Sequence, residues 1–146
     1  MAANMREFFI LVADDDEDDC LLIRDALAEC RINGDLQFVY DGKALMEVLN
    51  GNIRTGQAPP LAQLPDLILL DLNMPKKDGR EALREIKKDP ILRAIPVVIL
   101  TTSSDSRDVE FCRRLGASSF ITKPMIFSEW VTALGSIREY LPAALV

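Results

Sequence analysis

Three short stretches of almost unbroken hydrophobic sequence constrain the fold of this 146-residue chain more than any other feature. They read FFILV at residues 8–12, LILL at residues 67–70 and IPVVIL at residues 95–100. A strand with one face in water alternates apolar and polar residues, whereas a strand buried on both faces is apolar throughout. The sequence therefore predicts central parallel strands that helices cover on both sides.

The stretches belong to a regular alternation of predicted strands and amphipathic helices. Parallel strands need crossover connections, and these are right-handed. The alternation therefore predicts an α/β fold with a doubly wound, five-stranded parallel sheet. The predicted strands are residues 7–13, 35–40, 66–71, 95–101 and 118–122, and the predicted helices are residues 18–31, 41–49, 79–87 with Asp78 as cap, 105–115 and 127–141.

The length is typical of one domain, so we expect a single domain over residues 1–146 with its core at about residues 6–141. Residues 50–65 are rich in Gly, Pro and Asn and lack periodicity, which predicts a long loop before the third strand.

The composition excludes several kinds of chemistry. The chain has no histidine, which rules out Ser-His and Cys-His catalysis and phosphorylation of a histidine on this chain. Its three cysteines, Cys20, Cys30 and Cys112, are odd in number and widely spaced, which predicts reduced thiols packed in the core. No apolar run reaches the roughly 20 residues of a membrane helix, and the N-terminus lacks a signal peptide, so we expect a cytoplasmic protein.

The net charge of −6 comes from one segment, Asp14 to Asp19, in which six acidic residues follow one another. Outside it, 17 acidic and 17 basic residues balance, so there is no broad basic field of the kind that binds nucleic acid. We expect one of the four residues from Asp16 to Asp19 to cap the first helix, where negative charge suits the helix dipole. The alternative for these four residues is kinase docking or tuning of a metal site.

Polar residues follow four of the predicted strands, at the edge where sheets of this kind bind ligands. Asp14 and Asp15 follow the first strand, and Asp71 follows the third. Thr101 ends the fourth strand, and Lys123 follows the fifth. Three converging carboxylates need a counter-charge, which favours a divalent cation such as Mg²⁺. An aspartate held there is a plausible nucleophile for phosphoryl transfer, and Lys and Thr can bind phosphoryl oxygens.

Four motifs at these strand ends resemble the receiver domain of bacterial two-component response regulators, and the resemblance covers roughly residues 6–141. It implies a flavodoxin-like sheet with strand order 2-1-3-4-5 and five helices. It also implies a protein that is not a turnover enzyme but accepts a phosphoryl group from a sensor histidine kinase. Such a protein promotes its own phosphorylation and dephosphorylation. The motifs are LVADDD, LILLDLNMPKKDG, VVILTTS and FITKP.

The resemblance implies that Asp71 is the phospho-acceptor and that Mg²⁺ is the cofactor. Asp15 would bind the metal directly, and Asp14 would bind it directly or through water. Asp71 and the backbone carbonyl of Asn73 would complete the protein ligands.

The resemblance also implies roles for residues on the fourth and fifth strands. Thr101 and Lys123 would hold the phosphoryl group. Thr101 and Phe120 would form the switch that changes the partner-binding surface. The Lys123–Pro124 peptide bond would be cis.

Partners follow from the same resemblance. The motifs LDLNMPKKDGREAL and LTTSS and the long loop resemble a subgroup often paired with phytochrome-type light-sensing kinases. Only Pro-Ala-Ala-Leu-Val follows Leu141, so we expect a stand-alone regulator of the chemotaxis-regulator type. Its target would be another protein, such as a histidine phosphotransfer partner in a phosphorelay. No nucleic acid or membrane partner is expected, and a homodimer through the fourth-helix to fifth-helix face or the C-terminal tail is a further hypothesis.

Three other functions compete with this one. A phosphatase with an aspartyl nucleophile would want a second Asp two residues after Asp71 as its acid or base, and Asn73 cannot transfer that proton. A calcium-binding loop beginning at Asp14 would want Gly at its sixth place and Glu at its twelfth, where the chain has Asp19 and Asp25. A docking scaffold that is never phosphorylated would not need the complete set of site residues.

Overall fold

The computed structural model describes residues 8–51 and 64–142, in which five strands alternate with five α-helices. The predicted loop at residues 50–65 therefore lies largely outside the described residues. The strands are β1 (Phe9–Ala13), β2 (Asp35–Val39), β3 (Leu67–Leu70), β4 (Val97–Thr101) and β5 (Ser119–Thr122), and the helices are α1 (Glu17–Glu29), α2 (Gly42–Leu49), α3 (Gly79–Lys88), α4 (Ser106–Leu115) and α5 (Phe127–Gly135).

All strands are parallel and lie in the order β2-β1-β3-β4-β5, which confirms the predicted fold. The three central strands are buried along their whole length, as their hydrophobic sequences require. β4 begins two residues later than predicted, after Pro96, whose nitrogen has no hydrogen to donate to a neighbouring strand.

The register brings the carboxyl ends of the central strands to one level. Ala13 lies opposite Leu70, and Leu70 lies opposite Ile99. The residues that leave the sheet at this level are the acidic residues after β1 and β3. One further hydrogen bond, from the Asp71 nitrogen to the Ala13 carbonyl at 2.9 Å, fixes Asp71 beside the end of β1.

Two hydrophobic layers cover the sheet. One contains Ile23 and Leu27 of α1 with Trp130 and Leu134 of α5. The other is formed by α2, α3 and α4, which contribute buried residues that include Leu45, Leu83 and Cys112. All three cysteines are buried and unpaired, as predicted. The described helices include none that is long and apolar enough to cross a membrane.

Aspartate side chains cap the first four helices. Asp78 accepts a hydrogen bond from the Arg80 nitrogen at 2.9 Å, which confirms the predicted cap of α3. Asp16 is the cap of α1 and accepts from the nitrogens of Asp18 and Asp19 at 2.9 and 3.2 Å. One member of the acidic segment is therefore fully accounted for by helix capping, and the other acidic side chains of α1 are free for other contacts.

The last helix is shorter than predicted. α5 ends at Gly135, and a 3-10 helix over Ser136–Tyr140 replaces the predicted continuation to residue 141. The Ser136 hydroxyl donates to the Ala133 carbonyl at 2.6 Å, and such local bonds compete with regular helix hydrogen bonding. Ile137 and Leu141 are nevertheless buried, so the hydrophobic pattern predicted the packing correctly.

The conformations of two glycines give a test of this backbone. Gly116 ends α4 with a φ of 104°, a left-handed conformation that strains any residue with a β-carbon. Gly135 has a φ of −60°, and an added β-carbon would only reach van der Waals contact at 3.6 Å from the Cys30 sulfur.

We expect Gly116→Ala to lower the free energy of unfolding by about 1 kcal/mol and Gly135→Ala to leave it unchanged or raise it. Urea denaturation of both variants measures this, and equal losses would contradict it.

Candidate functional site

Three aspartates meet at the carboxyl end of the sheet. Carboxylate oxygens of Asp14, Asp15 and Asp71 all lie within 4.8 Å of one another. Asp14 and Asp71 are buried, whereas Asp15 is exposed. These residues, separated by more than fifty positions along the chain, are brought together by the register of β1 and β3.

The ammonium group of Lys123 partly offsets the negative charge of this cluster. Its nitrogen lies 2.8 Å from Asp14 Oδ2, 3.0 Å from Asp71 Oδ2 and 2.7 Å from Asp19 Oδ2. It donates hydrogen bonds to Asp19 and Asp71 and forms an ion pair with Asp14. The side chain is only 6% exposed, and the backbone nitrogen of Lys123 donates to the Thr101 carbonyl at 2.7 Å. The backbone hydrogen bonding between β4 and β5 therefore places Lys123 beside the aspartates.

Burial and ion pairing shift the pKa values of Asp14 and Lys123. Burial raises the pKa of Asp14 to about 6, and the nearby Lys123 only partly offsets this effect. Burial also disfavours the charged form of Lys123, but its close contacts with the carboxylates of Asp14 and Asp19 outweigh burial and raise its pKa. Lys123 is therefore a permanent positive charge, and Asp14 is a carboxyl group that a further cation would help to ionise.

The donor set fits a small divalent cation. Asp14 Oδ2 is buried, and its contact with Lys123 is an ion pair without the alignment of a hydrogen bond. A carboxylate oxygen with this unused capacity, grouped with oxygens of Asp15 and Asp71, offers the hard ligands that Mg²⁺ and Mn²⁺ accept. The exposure of Asp15 leaves a side open to water and to a phosphoryl donor.

Asn73 connects the phospho-acceptor candidate with β4. Its backbone nitrogen donates to Asp71 Oδ1 at 3.1 Å, and its side-chain nitrogen makes a long contact of 3.5 Å with the Thr101 hydroxyl. Thr101 is fully buried at the end of β4. The role predicted for the Asn73 carbonyl as a metal ligand stays a prediction.

The cleft above these residues has a volume of about 520 Å³ and is lined by residues 15–19 together with Asp71, Asn73, Thr102 and Lys123. Phe120 is not among the described residues that line it. It lies opposite Ile99, two residues before Thr101, so both side chains share one face of the sheet. Phe120 is half-buried against the layer under α2, α3 and α4. Thr101 contacts Asn73, which lines the cleft, and shares a face of the sheet with Phe120.

One sequence expectation about this region is wrong. The bond between Lys123 and Pro124 is trans, since the described residues contain no cis peptide bond. The trans form is the intrinsically preferred one before proline, by about 0.5–1 kcal/mol.

Sequence reasoning missed two features of the site. Asp19 was expected to serve the helix, yet its carboxylate contacts Lys123. No local signal distinguishes it from its acidic neighbours. Gly79 lets α3 begin against the site, because an added β-carbon would lie 2.2 Å from the Asp71 carbonyl oxygen. A glycine directly after a capping aspartate, where a better helix former is usual, was the available signal for this close approach.

The fold and this cluster together define a class of α/β proteins whose strand-end site combines aspartates, a buried hydroxyl residue and a lysine. The chain belongs to the response regulator receiver domain family, which its sequence matches over residues 10–135.

Similar proteins are known from Synechocystis and from Methanothrix. The response regulator Rcp1 of Synechocystis sp. is 42% identical over 92% of this chain and 93% of its own length. A probable methanogenesis regulatory protein, FilR2 of Methanothrix harundinacea, is 35% identical over 91% of this chain and 83% of its own. The crystal structure of the phosphorylated cyanobacterial phytochrome response regulator RcpA is 37% identical, with a TM-score of 0.83, and the match covers 97% and 98% of the two chains. A crystal structure of Rcp1 contains Mn²⁺.

The raised pKa of Asp14 predicts how stability depends on pH without metal. Because its folded pKa of about 6 exceeds its ordinary value of 3.8, its favourable contribution is complete below about pH 4 and is lost as the pH rises through 6. We expect Asp14→Asn to stabilise the metal-free protein at pH 8 by about 1–3 kcal/mol, at about 1.4 kcal/mol per pKa unit. Urea denaturation in EDTA at pH 4 and pH 8 measures the difference.

The exposed Asp15 gives the matched control. Asp15→Asn should change metal-free stability little, while both variants should lose stabilisation by Mg²⁺. An Asp14→Asn protein that is less stable than the wild type at pH 8 in EDTA would contradict the prediction.

Proposed function

We propose that this protein is a response regulator that accepts a phosphoryl group on Asp71 from a sensor histidine kinase, with Mg²⁺ as cofactor. This proposal rests mainly on the environment of the Asp71 carboxylate. One oxygen contacts the Lys123 ammonium at 3.0 Å, the other accepts from the Asn73 nitrogen at 3.1 Å, and the side chain lines an open cleft. A buried nucleophile with a fixed cation beside it and a route to solvent is suited to phosphoryl transfer.

The proposed step transfers phosphorus from nitrogen to oxygen. A carboxylate oxygen of Asp71 forms a bond to the phosphorus of a phosphohistidine on the kinase. The phosphorus–nitrogen bond breaks, and its electron pair stays on the imidazole, which takes up a proton from solvent. Lys123 contacts a phosphoryl oxygen and neutralises part of its charge. The product is an acyl phosphate on Asp71, so each chain accepts one phosphoryl group and the proposed role is that of a phospho-acceptor, not a turnover enzyme.

Asp14, Asp15 and Asp71, with the carbonyl of Asn73, would hold the Mg²⁺. The metal, when bound, supplies positive charge for the phosphoryl oxygens. Mg²⁺ is proposed because it keeps several waters and needs few protein ligands, which suits the exposed side of Asp15. The Mn²⁺-bound form of Rcp1, a similar regulator, supports binding of a divalent ion by this chain.

The proposed response runs from Thr101 to Phe120. A phosphoryl group on Asp71 brings three new oxygens near the buried Thr101 hydroxyl, which now has only a long contact with Asn73. A shift of Thr101 would open space on the face of the sheet that it shares with Phe120. The surface near α4 and β5 would then change its partners, as a shift between two states of the protein.

The proposed kinase is of the phytochrome type. Support comes from the likeness to RcpA, described as a phytochrome response regulator, and to a regulator in red light signalling of R. palustris, which is 30% identical with a TM-score of 0.79. The proposal includes a single receiver domain, a cytoplasmic location and a protein target such as a phosphotransfer partner. The likeness to FilR2, whose description concerns methanogenesis, makes another type of kinase the competing possibility.

Phosphorylation of Asp71 has a direct test. We expect the wild-type protein to take up about one phosphoryl group per chain from acetyl phosphate, because one nucleophile is available. Uptake should require Mg²⁺. Asp71→Asn should reduce uptake to background. Asp25→Asn, an exposed change on α1, should leave it unchanged. Intact-mass spectrometry measures uptake, and wild-type labelling of Asp71→Asn or sustained hydrolysis of phosphomonoesters would contradict the proposal.

The choice of kinase is tested separately by phosphotransfer. We expect a purified phytochrome-type histidine kinase to label this protein at different rates in its two light states, because only the kinase responds to light. A histidine kinase with an unrelated sensor domain provides the control. Equal labelling by both kinases in either light state would contradict the phytochrome pairing and leave the assignment of Asp71 intact.

A further inference from the structure

Among the described residues that form ion pairs with Lys123, Asp19 is the one that the proposed transfer does not use. Asp14 and Asp71 belong to the proposed metal and phosphoryl site, whereas Asp19 lies on α1. Its carboxylate oxygen is 2.7 Å from the lysine nitrogen, the shortest of the three ion-pair distances. The Asp19 side chain is 18% exposed, so the pair is largely withdrawn from water.

The helix holds Asp19 in place without needing its carboxylate. Asp16 is the cap of α1, and its Oδ1 accepts the backbone hydrogen bonds of Asp18 and Asp19. These bonds fix the first turn, and Asp19 then points its side chain at a lysine 104 positions away. Helix capping therefore does not account for the contact between Asp19 and Lys123.

The contact creates a competition once phosphate arrives. The Lys123 ammonium already forms ion pairs with three carboxylates and donates hydrogen bonds to two of them, Asp19 and Asp71. Phosphorylation removes the negative charge from the Asp71 carboxylate itself and adds the charge of the phosphoryl group nearby. Asp19 keeps its charge and its hydrogen bond to the ammonium, so it competes with a phosphoryl oxygen for Lys123.

We propose, on the basis of the phospho-acceptor function, that Asp19 is a positioning residue that competes with the phosphoryl group for Lys123. It holds the ammonium beside Asp71 in the unphosphorylated protein and lowers the affinity of the site for a bound phosphoryl group. The strength of phosphoryl retention is thus set from α1, outside the group of residues that contact the phosphorus or the metal.

Beryllofluoride, a non-covalent mimic of the phosphoryl group, gives the test with full-length protein. Its dissociation constant is measured by calorimetry at saturating Mg²⁺ for the wild type and three variants. Asp19→Asn keeps the size of the side chain and removes its charge. We expect it to bind beryllofluoride about three- to ten-fold more tightly, the scale of one partly exposed ion pair.

Asp25→Asn is the matched control for charge. It removes the same charge from the same helix at an exposed position outside the residues that line the cleft, and among the described residues only Asp14, Asp19 and Asp71 form ion pairs with Lys123. We expect it to change the dissociation constant less than two-fold, because an exposed charge is screened. Asp19→Glu restores the charge with a longer arm and should bind beryllofluoride nearly as the wild type does.

The outcomes separate this inference from the function on which it rests. Tighter binding by Asp19→Asn alone, with a Mg²⁺ affinity close to that of the wild type, supports the competition. Equal effects of Asp19→Asn and Asp25→Asn reduce Asp19 to a general surface charge and overturn it, as does weaker binding by a folded Asp19→Asn. A wild-type protein that binds no beryllofluoride with Mg²⁺ overturns the proposed function itself. Thermal denaturation shows that each variant is folded.

Discussion

The buried ammonium of Lys123 is the interaction on which the site depends. It lies between carboxylates from β1, α1 and the end of β3, so a single charge ties β5 to three other elements. Without it, Asp14 and Asp71 would be buried acids with no fixed counter-charge, which proteins avoid by neutralising the acid or by opening the site. Lys123 therefore holds the acidic residues at the edge of the sheet together, beside the cleft in which we propose that a metal and a phosphoryl group bind.

The same arrangement explains how the proposed switch would work. One ammonium serves three carboxylates, so a cation or anion bound at the cleft would change how Lys123 is shared. The Asn73 nitrogen donates to Asp71 Oδ1, while Lys123 contacts Oδ2, and the Asn73 side chain makes a long contact with Thr101. A change at Asp71 would therefore affect Lys123, which already has three carboxylate partners, and Thr101, whose hydroxyl makes a long contact with Asn73. Thr101 shares its sheet face with Phe120.

Much of the fold was predictable because its signals are local. Continuous apolar stretches predicted the buried strands, and helical spacing predicted which residues face the sheet, down to Ile137 and Leu141 beyond the true end of α5. The candidate residues at the strand ends were predictable as well, since parallel strands deliver their carboxyl ends to one edge. The errors arose where local hydrogen bonds compete, as at Ser136, or where the backbone has two accessible isomers, as before Pro124.

The sequence by itself determined the elements, their order and the identity of the groups that meet at the edge of the sheet. It could not determine the separate roles of the six consecutive acidic residues from Asp14 to Asp19, because the local sequence does not distinguish them. Only the tertiary structure separated a buried carboxyl, an exposed one, a helix cap and a partner for Lys123. The reason is physical: burial and distance to a charge on another strand are properties of the packed sheet and helix, and they decide what each identical carboxylate does.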